Sequence, residues 1–77
     1  MPLASIVVVT LPGMAQAVAE RMGRLDGMGP LSAEGQNRVV GTWKVPAGDT
    51  PEALSEVLQA MNPEILEVNP LLVEEET

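Results

Sequence analysis

The chain contains no cysteine, no histidine, no phenylalanine and no tyrosine, and has one tryptophan in 77 residues. Each absence closes off some chemistry. Without cysteine there is neither a disulfide framework nor a thiolate nucleophile. With histidine missing as well, the usual transition-metal ligands reduce to carboxylates, so no metal and no cofactor are expected. Ser5, Ser32 and Ser55 have no histidine to activate them, which excludes a serine–histidine arrangement. Positive charge is scarce too: four Lys and Arg stand against eleven Asp and Glu, a net charge of −7. Phosphate backbones need clustered cations and single-stranded bases need aromatic platforms, so nucleic acid is not an expected partner. The acidic balance suits a basic partner, and it suits plain solubility equally.

Long apolar runs are also missing. The run that begins "SIVVVT" at Ser5 stops at Pro12 and Gly13, far short of the ~20 residues that a spanning helix needs. The opening "MPLAS" lacks the positive stretch of a secretory signal, so the expected setting is reduced and cytoplasmic, with no membrane insertion. "GMGP" lacks the Lys and the following helix of a phosphate-binding loop. The carboxylates Glu52, Glu56, Glu64, Glu67 and Glu74 to Glu76 are expected at helix starts, on exposed faces or in the tail, whereas acid–base work needs a concave site. No residue is assigned a catalytic role, and an enzyme is not expected.

What is present is patterned, and it fits a single domain over 1–77. Leu3 to Thr10 reads as a strand, because a β-branched run ended by Pro-Gly is the pattern of a flanked strand. Pro12 and Gly13 open a helix with apolar positions Met14, Ala17, Val18, Met22 and Leu25, and with Gln16, Glu20, Arg21 and Arg24 on the other side. Gly27 and Gly29 are expected to stop it. Met28 to Ala33 is a second strand, placed at an edge because Pro30 removes a ladder donor. "EGQN" forms a hairpin loop into a third strand, Arg38 to Val45. "GDTPEALSEVLQAM" carries a helix start: Thr50 as side-chain cap, Pro51 at the first position, Glu52 near the positive end of the dipole. Leu54, Val57, Leu58 and Met61 form its expected buried stripe. Ile65 to Val73 is the last strand, also an edge because of Pro70. Residues 74–77 close the chain as a solvated acidic tail.

The order is strand, helix, strand, strand, helix, strand. Right-handed crossovers put the first and third strands at the centre of an antiparallel sheet with both helices on one face, an α+β sandwich. The other face is then open. Parity assigns Ser5, Val7 and Val9, then Val40, Thr42 and Lys44, then Glu67, Asn69 and Leu71 to that open face. Ile6 and Val8, then Val39, Gly41, Trp43 and Val45, then Leu66, Val68 and Leu72 face the helices. Gly41 would leave room for the Trp43 indole or for a packed helix, and Trp43 itself suits either a core or a contact. Valines on an uncovered central strand, ringed by polar groups, suit a binding surface, although β-propensity alone also favours them there.

Two stretches resemble a known family. "SIVVVTLP" followed by a Met/Ala/Val helix resembles the Ser-Leu-Val-Val opening of NapD-type chaperones. "EILEVNPLLVEEE" is similar to that family's Val-Leu-x-x-x-Leu-Val pattern and acidic tail. The resemblance implies a ferredoxin-like βαββαβ fold. It also implies a cytoplasmic assembly chaperone that binds the twin-arginine signal peptide of the molybdenum-containing catalytic subunit of periplasmic nitrate reductase. Such a chaperone restrains export until the cofactor is loaded, and a monomer is the expected state. By this resemblance the peptide-binding positions are Ser5, Val7 and Val9 and their neighbours on the open face. A second reading is a regulatory small-molecule-binding domain of ACT-like type acting as an oligomer, for which "LPGM" supplies the Gly-containing loop after the first strand.

Overall fold

The computed structural model describes residues 2–75, with the side chains at 2, 51 and 72–75 outside that description. Its elements run β1 (Pro2–Thr10), α1 (Ala15–Met22), β2 (Met28–Glu34), β3 (Arg38–Lys44), α2 (Pro51–Met61) and β4 (Ile65–Glu75). The strands form one antiparallel sheet in the order β2-β3-β1-β4, a ferredoxin-like α+β arrangement. The strands that carry Pro30 and Pro70 are the two edges, where a missing N–H costs no ladder bond. The strand β4 continues past Val73, with Glu74 opposite Leu3 and Glu75 opposite Pro2. Of the expected acidic tail, residues 76–77 lie outside the described residues.

The core lies between the sheet and the helices. Alternate residues of β1 (Ala4, Ile6, Val8 and Thr10) are fully buried, and Val39, Trp43 and Val45 continue that layer. Trp43 is a core residue, and its indole Nε1 donates to the Asp26 carbonyl at 3.2 Å. The space beside Gly41 is taken neither by the indole nor by a helix. A Cβ there would run into the Leu31 side chain and come within 3.0 Å of the Pro30 carbonyl, so β2 fills the gap.

Helix α1 stops earlier than expected, at Met22, with Gly23 as its cap and its N–H bonded to the Ala19 carbonyl. Its buried row is Ala15, Val18 and Met22; Ala17 is only half-buried, so the helix is turned slightly from the expected phase. Gly27 then turns the chain into β2 at φ +82°, with its carbonyl accepting from the Lys44 N–H at 2.9 Å. Any side chain there would press on the Lys44 carbonyl and on Trp43.

Helix α2 starts where expected, with Thr50 as N-cap and Pro51 in the first turn. The Thr50 side chain makes no capping bond; its backbone carbonyl accepts from Ala53 N–H instead. Leu54 and Leu58 are buried, and Asn62 continues their row, but Val57 and Met61 are 47% and 57% exposed. The cause is how the layers divide: α1 packs mainly on β2 and β3, while α2 packs mainly on β4. Only one row of α2, spaced at every fourth residue, therefore meets the sheet.

Candidate binding face

The nine positions assigned by parity do share one face. The strand β1 supplies Ser5, Val7 and Val9, all half-buried between flanking strands, while Ile6 and Val8 between them are fully buried. Their partners stand directly opposite. Thr42 and Leu71 flank Ser5, Val40 and Asn69 flank Val7, and Lys44 stands opposite Leu3. Directly opposed residues point the same way in an antiparallel ladder, so these rows form a continuous surface. Neither helix covers it.

The same rows add residues not singled out from the sequence. Leu3 extends the apolar line of β1, and Arg38 stands opposite Val9 on the other side from Glu67. On β2, Ser32 pairs with Val40, and Glu34 with Arg38. Carrying the same alternation two residues further along β1 and β3 would have found Leu3 and Arg38, whereas Ser32 and Glu34 needed the β2–β3 register. Leu66 is a correction of the opposite kind. Val9 faces Glu67 but Thr10 faces Ile65, so Leu66 is the extra residue of a bulge and is 56% exposed rather than packed on the core. Val68 is buried as assigned, and the Leu72 side chain lies outside the described residues.

Charge on this face is ordered by strand. Exposed Glu67 sits on β4 and exposed Arg38 and Lys44 on β3, with the apolar residues of β1 between them. Glu34 approaches Arg38 to 4.0 Å, a solvated pair of little energetic weight. Most other acids (Glu20, Asp26, Asp49, Glu52 and Glu56) are exposed on the helices and the loops that lead into them. Among the described side chains the excess of negative charge therefore lies behind the sheet, and the charges of the open face balance. A dent of about 370 Å³ lies at the Lys44 end, where Gly29 and Pro30 both oppose Thr42, and Leu3, Thr42 and Lys44 line it.

On the helix side, Arg21 Nη1 donates to Glu64 Oε1 at 2.7 Å and to Asn62 Oδ1 at 3.2 Å, tying α1 to the end of α2. Asn62 is buried and also donates to the Leu58 carbonyl at 3.1 Å, so both ends of its amide are satisfied. The hydrogen bond from Arg21, followed by one from its own backbone N–H, holds the Glu64 carboxyl below its ordinary value. A shallow cleft of about 310 Å³ opens between the end of α1 and α2, floored by Leu25, Trp43 and Leu54.

The loop between β1 and α1 has its donors engaged. Thr10 N–H bonds the Asn37 carbonyl, and Gly13 and Ala15 N–H both bond Gln36, so the β2–β3 hairpin fills the place where a small ligand would meet free amides. Among the described residues no group of three or more acidic side chains is placed to hold a metal ion, and no helix is long and apolar enough to cross a membrane. No family model, no curated protein and no solved structure matches this chain.

Proposed function

We propose that this is a non-catalytic binding protein whose open sheet face takes an amphipathic peptide. One observation carries the reading: an apolar central strand, Leu3, Val7 and Val9, lies uncovered between a row bearing Glu67 and a row bearing Arg38 and Lys44. Such a surface accepts an apolar stripe along β1 and basic groups along β4. A twin-arginine signal peptide has that chemistry, being basic at one end and apolar along its length. Together with the resemblance of "SIVVVTLP" and "EILEVNPLLVEEE" to NapD-type chaperones, this favours a cytoplasmic protein that holds the signal peptide of a molybdenum-containing periplasmic nitrate reductase subunit until its cofactor is loaded. The small-molecule reading has less to stand on, since the Gly13 loop is already closed by the hairpin.

Apolar contact is the larger contribution, at ~25 cal/mol per Å² buried, against ~1 kcal/mol or less for each exposed ion pair. In titration calorimetry with twin-arginine signal peptides, Val7→Asp and Val9→Asp should abolish binding while circular dichroism stays native. Glu67→Gln should weaken binding only modestly, and mostly at low salt. Absence of heat with any such peptide, or full binding by the valine variants, refutes the proposal.

A further inference from the structure

The open face is complementary to itself, and we propose that a second copy of this chain covers it when no peptide is present. The inference shares the face with the peptide reading but does not require that a peptide bind. Its basis is the row Glu67–Val9–Arg38, in which an acid on β4 and a base on β3 stand at equal distances on either side of β1. A twofold axis lying along β1 between two stacked faces exchanges the β4 side with the β3 side. It sets Val9 against Val9 and Val7 against Val7 of the other copy, and it sets Glu67 against Arg38 twice. In the next row Asn69 meets Val40, and beyond it Leu71, 68% exposed, meets Thr42. No like charges meet among these rows. Strand directions stay aligned under that axis, which is how sheets stack face to face.

Three further features fit. Most of the described acids outside this face lie on the helices and their loops, so repulsion between those groups acts across the thickness of both layers. A twofold contact uses the same patch on both copies and closes at two, so association stops at a dimer. Under that axis β3, β1 and β4 overlap while β2 lies outside the contact. Three strands at ~4.8 Å spacing with about seven residues at ~3.3 Å rise give roughly 330 Å² in projection, so about 670 Å² for the pair. That is below the ~1,000 Å² of stable specific interfaces, so a weak, transient dimer is expected, readily displaced by a peptide.

Sedimentation of the full chain from about 1 µM to about 1 mM should show the mass rising from one copy to two. Arg38→Glu and Glu67→Arg each place like charges together at both crossings, and each should weaken the dimer about tenfold or more. Arg38→Glu combined with Glu67→Arg restores opposite charges and should recover most of the association. Both side chains are exposed, so melts of all three variants should match the parent. A chain that stays single at 1 mM, single reversals without effect, or a double reversal as weak as either single one would overturn the proposal. The peptide reading is scored separately: peptide heat from a chain that never dimerises removes this inference alone, and a charge-swappable dimer that gives no peptide heat removes the other alone.

Discussion

Replacing Leu58 by Ala tests how α2 is seated on the sheet. Leu58 is fully buried, while Val57, its neighbour in sequence, is 47% exposed. Leu→Ala removes three carbons at ~0.8 kcal/mol each, or about 2.4 kcal/mol of transfer free energy. The cavity left beneath a helix that rests mainly on one strand adds to this, giving an expected loss of about 2–5 kcal/mol. The Leu58 carbonyl, which accepts from Asn62, survives the change, so the loss reports packing alone. Val57→Ala removes two carbons that are already half in water, worth about 0.8 kcal/mol, and better helix propensity returns about 0.5. Its net cost should be under about 0.5 kcal/mol. A domain of this size is stable by roughly 4–12 kcal/mol and loses about 4–8 °C per kcal/mol. A 3 kcal/mol loss at Leu58 therefore lowers the melting temperature by roughly 12–24 °C, whereas the Val57 variant should stay within a few degrees. Urea and thermal melts followed by circular dichroism give both numbers. Equal costs at the two positions would refute the one-row docking of α2.

Gly41→Val should cost about 1–3 kcal/mol in the same melts by overpacking, because its Cβ enters the space of Leu31; a neutral result would mean that β2 can slide away. Glu64 titrates below its ordinary value of 4.5 because Arg21 bonds the ionised form, so its contribution to stability is complete above the unfolded value and is lost as pH falls through the lower folded one. Carboxyl-detected NMR should show that depressed midpoint, and Arg21→Gln should move it back up; a parent midpoint at or above 4.5 contradicts the pairing.

Much of the fold was legible because its signals are local. Pro30 and Pro70 named the two edges, the turn at Gly35 fixed the hairpin, and a period of two sorted the three strands that carry the candidate site. What escaped depends on neighbours. A bulge leaves no mark in a hydrophobic alternation, so Leu66 read as core. The exposure of Val57 and Met61 follows from α2 standing mainly over β4, at one side of the sheet, which no periodicity within α2 can reveal. Thr50 has the right side chain for a cap, but its backbone carbonyl does that work in the first turn. The site was legible as a set of positions. Its ordering into an acidic row and a basic row needed the register, which brings Glu67 and Arg38 to the two sides of Val9.

The irregular margins of the sheet have a consequence for the protein at high concentration. An edge strand offers a row of unpaired amides to which any extended chain can add, the first step toward open-ended aggregates. Here β4 breaks its ladder at Leu66 and at Val73 and lacks an N–H at Pro70, while β2 breaks its own at Gly29 and Pro30. A strand arriving from outside finds only short stretches in register before pairing fails. Sideways growth is thereby discouraged on both flanks, although β4 is the longest strand of the sheet and the apolar face beside it lies open.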